Sequence, residues 1–173
     1  MSGVPSPLHI LFLCTGNSAR SILAEAIGNR FGGRRFVARS AGSFPKGQVH
    51  PQALALLERH GYAIDGFRSK GWEEFAAAGA PDLAIVITVC DAAAGEVCPI
   101  WPGGPVSAHW GLPDPAAVEG PADKVAAAFV ETYDALETRV RALASLRLDT
   151  LDRDTLKREL DKLASLPAAS ERA

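Results

Sequence analysis

Two periods of apolar positions divide this chain into alternating strand-like and helix-like pieces. His9 to Leu13 (HILFL) is an almost continuous apolar run, the pattern of a buried strand. Ile22, Leu23, Ala26 and Ile27 follow at helical spacing, so a helix starts soon after that strand ends. Arg35 to Ser40 reads as a second strand ahead of Ala41-Gly42. Pro51 opens a helix through Ala53, Leu54 and Leu57, and His60-Gly61 terminates it. Trp72, Phe75 and nearby alanines predict a short helix before Pro81, and Leu83 to Cys90 (LAIVITVC) is apolar enough for a central strand. Pro99 to Pro105 reads as a loop. Val106 to Trp110 reads as an edge strand before the Gly111 to Pro115 turn. From Pro121 to Leu146, Val125, Phe129, Tyr133, Leu136, Val140 and Leu143 recur on one helical face suited to covering a sheet. Asp154 to Leu166 repeats the pattern with Leu156, Leu160 and Leu163, opposite a wetter surface of Lys157, Arg158, Glu159 and Asp161. Strands alternating with helices predict an α/β fold, a single domain wound on a parallel sheet.

Length and composition narrow this picture. With 173 residues, 47% of them hydrophobic, the chain supports one substantial core. We read residues 1–146 as a catalytic domain and 147–173 as a C-terminal helical extension, whose helix is expected to dock because a short helix needs tertiary packing. The 18 basic and 20 acidic residues are interspersed and leave a net charge of -2. That pattern argues against nucleic acid and membrane surfaces as partners. With no signal-like segment and no apolar run of about 18 residues, the expected location is the cytoplasm. Three cysteines do not make a secreted disulfide framework and read better as reactive or buried thiols.

The most informative chemistry lies in the octet Cys14-Thr15-Gly16-Asn17-Ser18-Ala19-Arg20-Ser21, placed where the first strand meets the first helix. A loop at such a junction directs its backbone N–H groups, here those of Thr15, Gly16, Asn17, Ser18, Ala19 and Arg20, together with the helix N-terminus, toward one point. That arrangement suits a tetrahedral oxyanion. Arg20 can add its planar fork, leaving Cys14 beneath the anion as a nucleophile whose thiolate form such a field favours. Ser21 is placed to donate to the thiolate, and Asn17 to brace the loop. The competing reading is a half-buried cysteine in an ordinary strand-to-helix turn.

Cys90 closes the third strand, and Cys98 follows after a small, flexible stretch. Strand C-terminal ends of a wound sheet gather on one rim, so Cys90 can approach Cys14, and Cys98 can take part in a second exchange. The alternative is a buried strand-end thiol with an exposed neighbour. Asp114, restrained between Pro113 and Pro115, offers a general acid near the same rim; an ordinary turn-forming aspartate is the alternative. His109 and Trp110 read as supports for this loop, and Asp91 is ambiguous. Cys14, Cys90, Cys98 and His109 include zinc-ligand types but lack close C-x2-C pairs, and Arg20 suits an anion better than a cation. Neither nucleotide-binding glycine pattern is present.

Taken together, FLCTGNSARS, RSAGS (Arg39 to Ser43), HPQAL (His50 to Leu54), RSKGWEEF (Arg68 to Phe75), TVCDAAAGEVCPIWPG and AHWGLPDPA resemble the thiol-dependent arsenate reductases of the low-molecular-weight tyrosine phosphatase superfamily. The resemblance covers roughly Leu8 to Leu143. It implies a four-stranded parallel sheet flanked by helices. It also implies Cys14 as nucleophile, Arg20 and the loop amides as oxyanion binders, Asp114 as acid-loop carboxylate, Asn17 and Ser21 as supports, and Cys90 with Cys98 as a relay. Arsenate would be reduced to arsenite with no tightly bound cofactor. An external thiol system, thioredoxin or glutaredoxin with glutathione, would recycle the enzyme. A cysteine-dependent phosphatase and a redox-sensing or interaction protein are the other readings. Three departures stand out: Ala19 where many relatives carry a cysteine, an eight-position step from Cys90 to Cys98, and Pro115-Ala116-Ala117 in place of the tyrosines typical of phosphatases.

Overall fold

A computed structural model of the protein describes residues 6–90, 101 and 104–166. Leu8–Cys14 forms β1, which pairs in parallel with β2 (Phe36–Gly42) on one side and β3 (Leu83–Thr88) on the other. β4 (Val106–His109) adds in parallel to β3, so the order is β2-β1-β3-β4. This is the four-stranded parallel sheet that the resemblance implied. The helices are α1 (Arg20–Gly32), α2 (Pro51–Arg59), α3 (Glu73–Ala76), α4 (Ala122–Ala144) and α5 (Arg153–Leu163), with a 3-10 turn at Pro115–Ala117.

Alternation along β1 sorts the core into two layers. Ile10, Phe12 and Cys14 face one cluster, shared with apolar residues of α1, α2, α4 and α5. Leu11 and Leu13 face another, covered by Phe75 of α3 and by Trp101. Burial on both faces explains why β1 and β3 read as continuous apolar runs rather than as alternating ones.

Several boundaries moved. β2 continues through Ala41 and Gly42 because β1 supplies partners for them, Leu13 and Cys14. β3 stops at Thr88, although Val89 N–H still donates to the Leu13 carbonyl at 2.8 Å. Gly61, with φ of 83°, ends α2 as its position predicted. The α5 leucines, Leu156, Leu160 and Leu163, belong to the same core cluster as α4 and the sheet, so the helix docks on the domain. Cys98, Asp91 and most of the Pro99 to Pro105 loop lie outside the described residues. Among the described residues no helix is long and apolar enough to cross a membrane.

Candidate active site

The chain winds from β1 to β2 on one side and to β3 on the other, leaving a crevice at the strands' carboxyl ends where the winding reverses. Cys14, the last residue of β1, sits there and is buried. Its Sγ is 2.8 Å from Ser21 Oγ and accepts from the Asn17 backbone N–H at 3.2 Å. An open cavity of about 300 Å³ above it is lined by Thr15, Gly16, Ser18, Ala19 and Arg20 of the octet. α1 begins at Arg20, and its N-cap residue Ala19 has no side-chain acceptor for the first amides of the helix. That helix end is therefore suited to an anion.

Tight local geometry holds the loop. Asn17 has φ of 44°, in the left-handed region that asparagine tolerates better than most residues. Its buried side-chain amide donates to Ser21 Oγ at 2.8 Å and to Ser40 Oγ at 3.0 Å, and its Oδ1 accepts from Lys70 N–H at 2.9 Å. Because Asn17 donates to Ser21 Oγ, the hydroxyl proton of Ser21 is left to face Cys14 Sγ. Outward carbonyls of the loop are also engaged. Thr15 accepts from Phe44 N–H and Gly16 from Lys46 N–H, both at 2.9 Å, and Ser18 accepts from His50 N–H at 2.9 Å. Ser69 Oγ donates to Gly16 as well, at 3.0 Å. With carbonyls drawn outward, the peptide dipoles of the loop are biased toward presenting N–H groups to the cavity.

Behind Asn17 lies a charged cluster. Lys70, 9% exposed, places Nζ 3.3 Å from Ser40 Oγ, 3.2 Å from the Arg68 carbonyl and 3.6 Å from Glu25 Oε1. Burial pushes the Lys70 ammonium below its ordinary range, and Glu25 opposes that shift. His50 caps α2 through Nδ1, which accepts from Gln52 N–H at 3.1 Å. Burial lowers its pKa, Lys46 adds to the effect and Asp114 opposes it.

Arg20 and Asp114 meet across the cavity. The guanidinium donates to the Leu112 carbonyl at 2.9 Å and lies 3.7 Å from Asp114 Oδ2. Asp114 Oδ1 accepts from Ala116 N–H, which leaves Oδ2 nearer the cavity arginine. Cys90 is buried just beyond β3, its Sγ 3.5 Å from Thr15 Oγ1. Cys14 is a free thiol. The structure therefore brings Cys14, Arg20, Cys90 and Asp114 to one rim, and Cys98 falls outside the described residues. His109 Nδ1 is 2.6 Å from Thr88 Oγ1, and Trp110 N–H donates to the Thr88 carbonyl. Both brace the start of the Asp114 loop.

Phe44 and Lys46 complete the cavity lining and were not foreseen; Phe44 is 72% exposed. Glu25, Ser40, His50, Ser69 and Lys70 were not assigned roles either. Four of these five stand inside RSAGS, HPQAL and RSKGWEEF, segments whose resemblance was visible while their contacts were not.

The sequence matches the low molecular weight phosphotyrosine protein phosphatase family over residues 9–161. The chain belongs to that family. Within it, the arsenate reductase of Halalkalibacterium halodurans is 35% identical over 135 residues, covering 78% of this chain and 94% of that protein. A solved arsenate reductase in its oxidized state superposes with a TM-score of 0.64 at 27% identity, covering 79% of this chain and 96% of the other. A thioredoxin-dependent arsenate reductase of Corynebacterium glutamicum gives a TM-score of 0.58 at 29% identity. That match covers 81% of this chain, which spans only 62% of the Corynebacterium chain.

Proposed function

We propose that this chain reduces arsenate to arsenite through its own cysteines and is returned to the reduced state by an external thiol system. One observation carries the reading: a second cysteine, Cys90, lies beside the loop that cradles Cys14, its Sγ 3.5 Å from Thr15 Oγ1. Oxyanion binding alone suits a phosphatase equally well, whereas an adjacent thiol provides for reduction.

The loop amides of residues 15–20 and Arg20 hold the arsenate oxygens, and the Cys14 thiolate attacks arsenic. An S–As bond forms, an As–O bond breaks, and the departing oxygen leaves as water with a proton from Asp114. The Cys90 thiolate then attacks Cys14 Sγ. The S–S bond forms as the S–As bond breaks, and the S–As electron pair stays on arsenic, taking it from the pentavalent to the trivalent state. The two thiols have supplied two electrons. Cys98 attacks Cys90 next, releasing the Cys14 thiolate, and an external dithiol reduces the Cys90–Cys98 disulfide with two electrons and two protons. Similarity to a thioredoxin-dependent relative favours thioredoxin over glutaredoxin with glutathione. A reducing compartment such as the cytoplasm suits reactive cysteines. In this reading residues 1–146 carry the chemistry and 147–173 form an extension.

Purified reduced protein should convert arsenate to arsenite with thioredoxin and its reductase or with glutathione and glutaredoxin. Cys14→Ser should abolish the activity, and Cys90→Ser should remove multiple turnover. The second reading, ester hydrolysis, is favoured by the Arg20–Asp114 pair across the cavity, where an acid serves a leaving alcohol. No arsenite with either system, together with Cys14-dependent ester turnover that survives Cys90→Ser, would establish that reading instead.

A further inference from the structure

We propose that Arg139, backed by the C-terminal extension, is a positioning residue for the loop that carries Asp114. The proposal rests on the reading of Asp114 as the acid of the site. Ahead of that loop, in which Leu112 N–H donates to the Val89 carbonyl at 3.1 Å, stands Trp110, fully buried. It is held on three sides. Its N–H donates to the Thr88 carbonyl at 2.7 Å, its ring Nε1 donates to the Leu160 carbonyl of α5 at 2.9 Å, and its own carbonyl accepts from Arg139 at 3.3 Å. Arg139 reaches it from α4 and donates its Nε–H to the Leu166 carbonyl at 3.3 Å. Two of the three restraints on Trp110 therefore lead, directly or through Arg139, into residues 147–166.

Packing does not make this clamp redundant. A cavity of about 270 Å³ separates Leu112, Pro113 and Asp114 from Ala128, Thr132 and Ala135 of α4, with Arg139 in its wall. Leu112 and Ala116 pack against the core and Pro115 is buried, so apolar contact holds the two ends of the loop, and behind Pro113 and Asp114, where the cavity lies, hydrogen bonds at its root add the remaining restraint. Arg139 is only 7% exposed. Removing a guanidinium from water costs free energy that an apolar side chain of similar volume would not incur, so its presence calls for a role that such a side chain cannot fill. Two carbonyls held at once by one planar, five-donor group is such a role. The loop that it anchors delivers two things to the cavity: the Leu112 carbonyl that orients Arg20, and the Asp114 carboxylate beside it. A shift of about 1 Å in either suffices to impair a positioned proton transfer.

The test compares the full chain with Arg139→Met, which keeps the apolar stem, Arg139→Lys, which keeps the charge but not the fork, and Trp110→Phe, which removes the ring donor to Leu160 together with part of the ring's volume. Amide hydrogen exchange is the first readout. The amides of Leu112, Ala116 and Ala117 should exchange about tenfold faster in Arg139→Met and Trp110→Phe, with partial rescue in Arg139→Lys. The amides of Asn17 and His50 in the cradle should keep their parental rates. Arsenite formation is the second readout. Arg139→Met should slow it as Asp114→Asn does, arsenate should still protect Cys14 from alkylation, and the double variant should be no slower than Asp114→Asn alone. Faster exchange throughout the molecule, unchanged exchange in the loop, or losses that simply add would each overturn the proposal. If the parent chain makes no arsenite, the exchange contrast decides the clamp by itself, while the reductase reading fails separately.

Discussion

At the scale of single residues, the cradle depends on positions with no reactive group. A Cβ built on Gly42 comes within 2.4 Å of the Thr15 carbonyl oxygen and 3.0 Å of the Asn17 nitrogen, both of them backbone atoms. Gly42→Ala must therefore push the Thr15–Asn17 loop away from β2. We expect about 1–3 kcal/mol lower stability in urea unfolding, together with weaker phosphate binding by titration; unaltered phosphate affinity would show that the loop tolerates the displacement. His50 gives a pH-dependent counterpart. Its pKa is lower in the folded state than the ordinary value of 6.5, so the unfolded chain takes up the proton first as pH falls. The associated stability is complete above about pH 6.5 and is lost as pH drops through the folded-state value. His50→Asn retains a capping acceptor for Gln52 N–H but does not titrate, so its urea midpoint should fall less steeply between about pH 6.5 and 5. His9, shifted in the same direction, adds to the slope that remains. An identical slope in both proteins would remove His50 from the account.

At the scale of elements, α5 decides how the sheet ends. β4 is an edge strand, and α5 side chains engage carbonyls along and just before it: Lys157 Nζ donates to Ser107, and Arg153 donates to Gly104 and Pro105. Covering an edge in this way limits pairing with other chains. Leu160, fully buried, fastens the helix from within. Leu160→Ala should cost about 2–5 kcal/mol and shift a single urea transition read by both tryptophan fluorescence and circular dichroism. An early, separate transition for helix loss would mean that α5 is an appendage. The amphipathic spacing of Leu156, Leu160 and Leu163 was legible beforehand, since it reports only that one face needs cover. Its docking place was not, because Trp110 and β4 are brought beneath it by the winding of the chain.

For the whole molecule, binding and stability are linked through the cavity that faces Cys14. Arsenate or phosphate at 100 times its dissociation constant should stabilise the fold by about 2.7 kcal/mol, visible as a raised thermal midpoint. Arg20→Gln should lose most of that rise while melting near the parent in buffer alone. A full anion-dependent rise in Arg20→Gln would place the anion elsewhere.

Local pattern alone settled a good deal about this protein: strand and helix order, the wound α/β class, the position of the Cys14–Arg20 loop where the first strand meets the first helix, and the shared rim of Cys14 and Cys90. These follow from periodicity, from turn chemistry and from the rule that parallel strands end on one side, all of which act over short stretches or over topology as a whole. Side-chain encounters between distant segments were decided only by folding. Lys70 beneath Ser40, Gly42 against Thr15, Lys46 at the cavity wall and Arg139 on Trp110 join residues that no spacing connects. The physical reason is that register and packing, set jointly by the entire core, determine which side chains meet, and a one-residue change in the pairing of β2 would by itself turn Ser40 to the opposite face of the sheet.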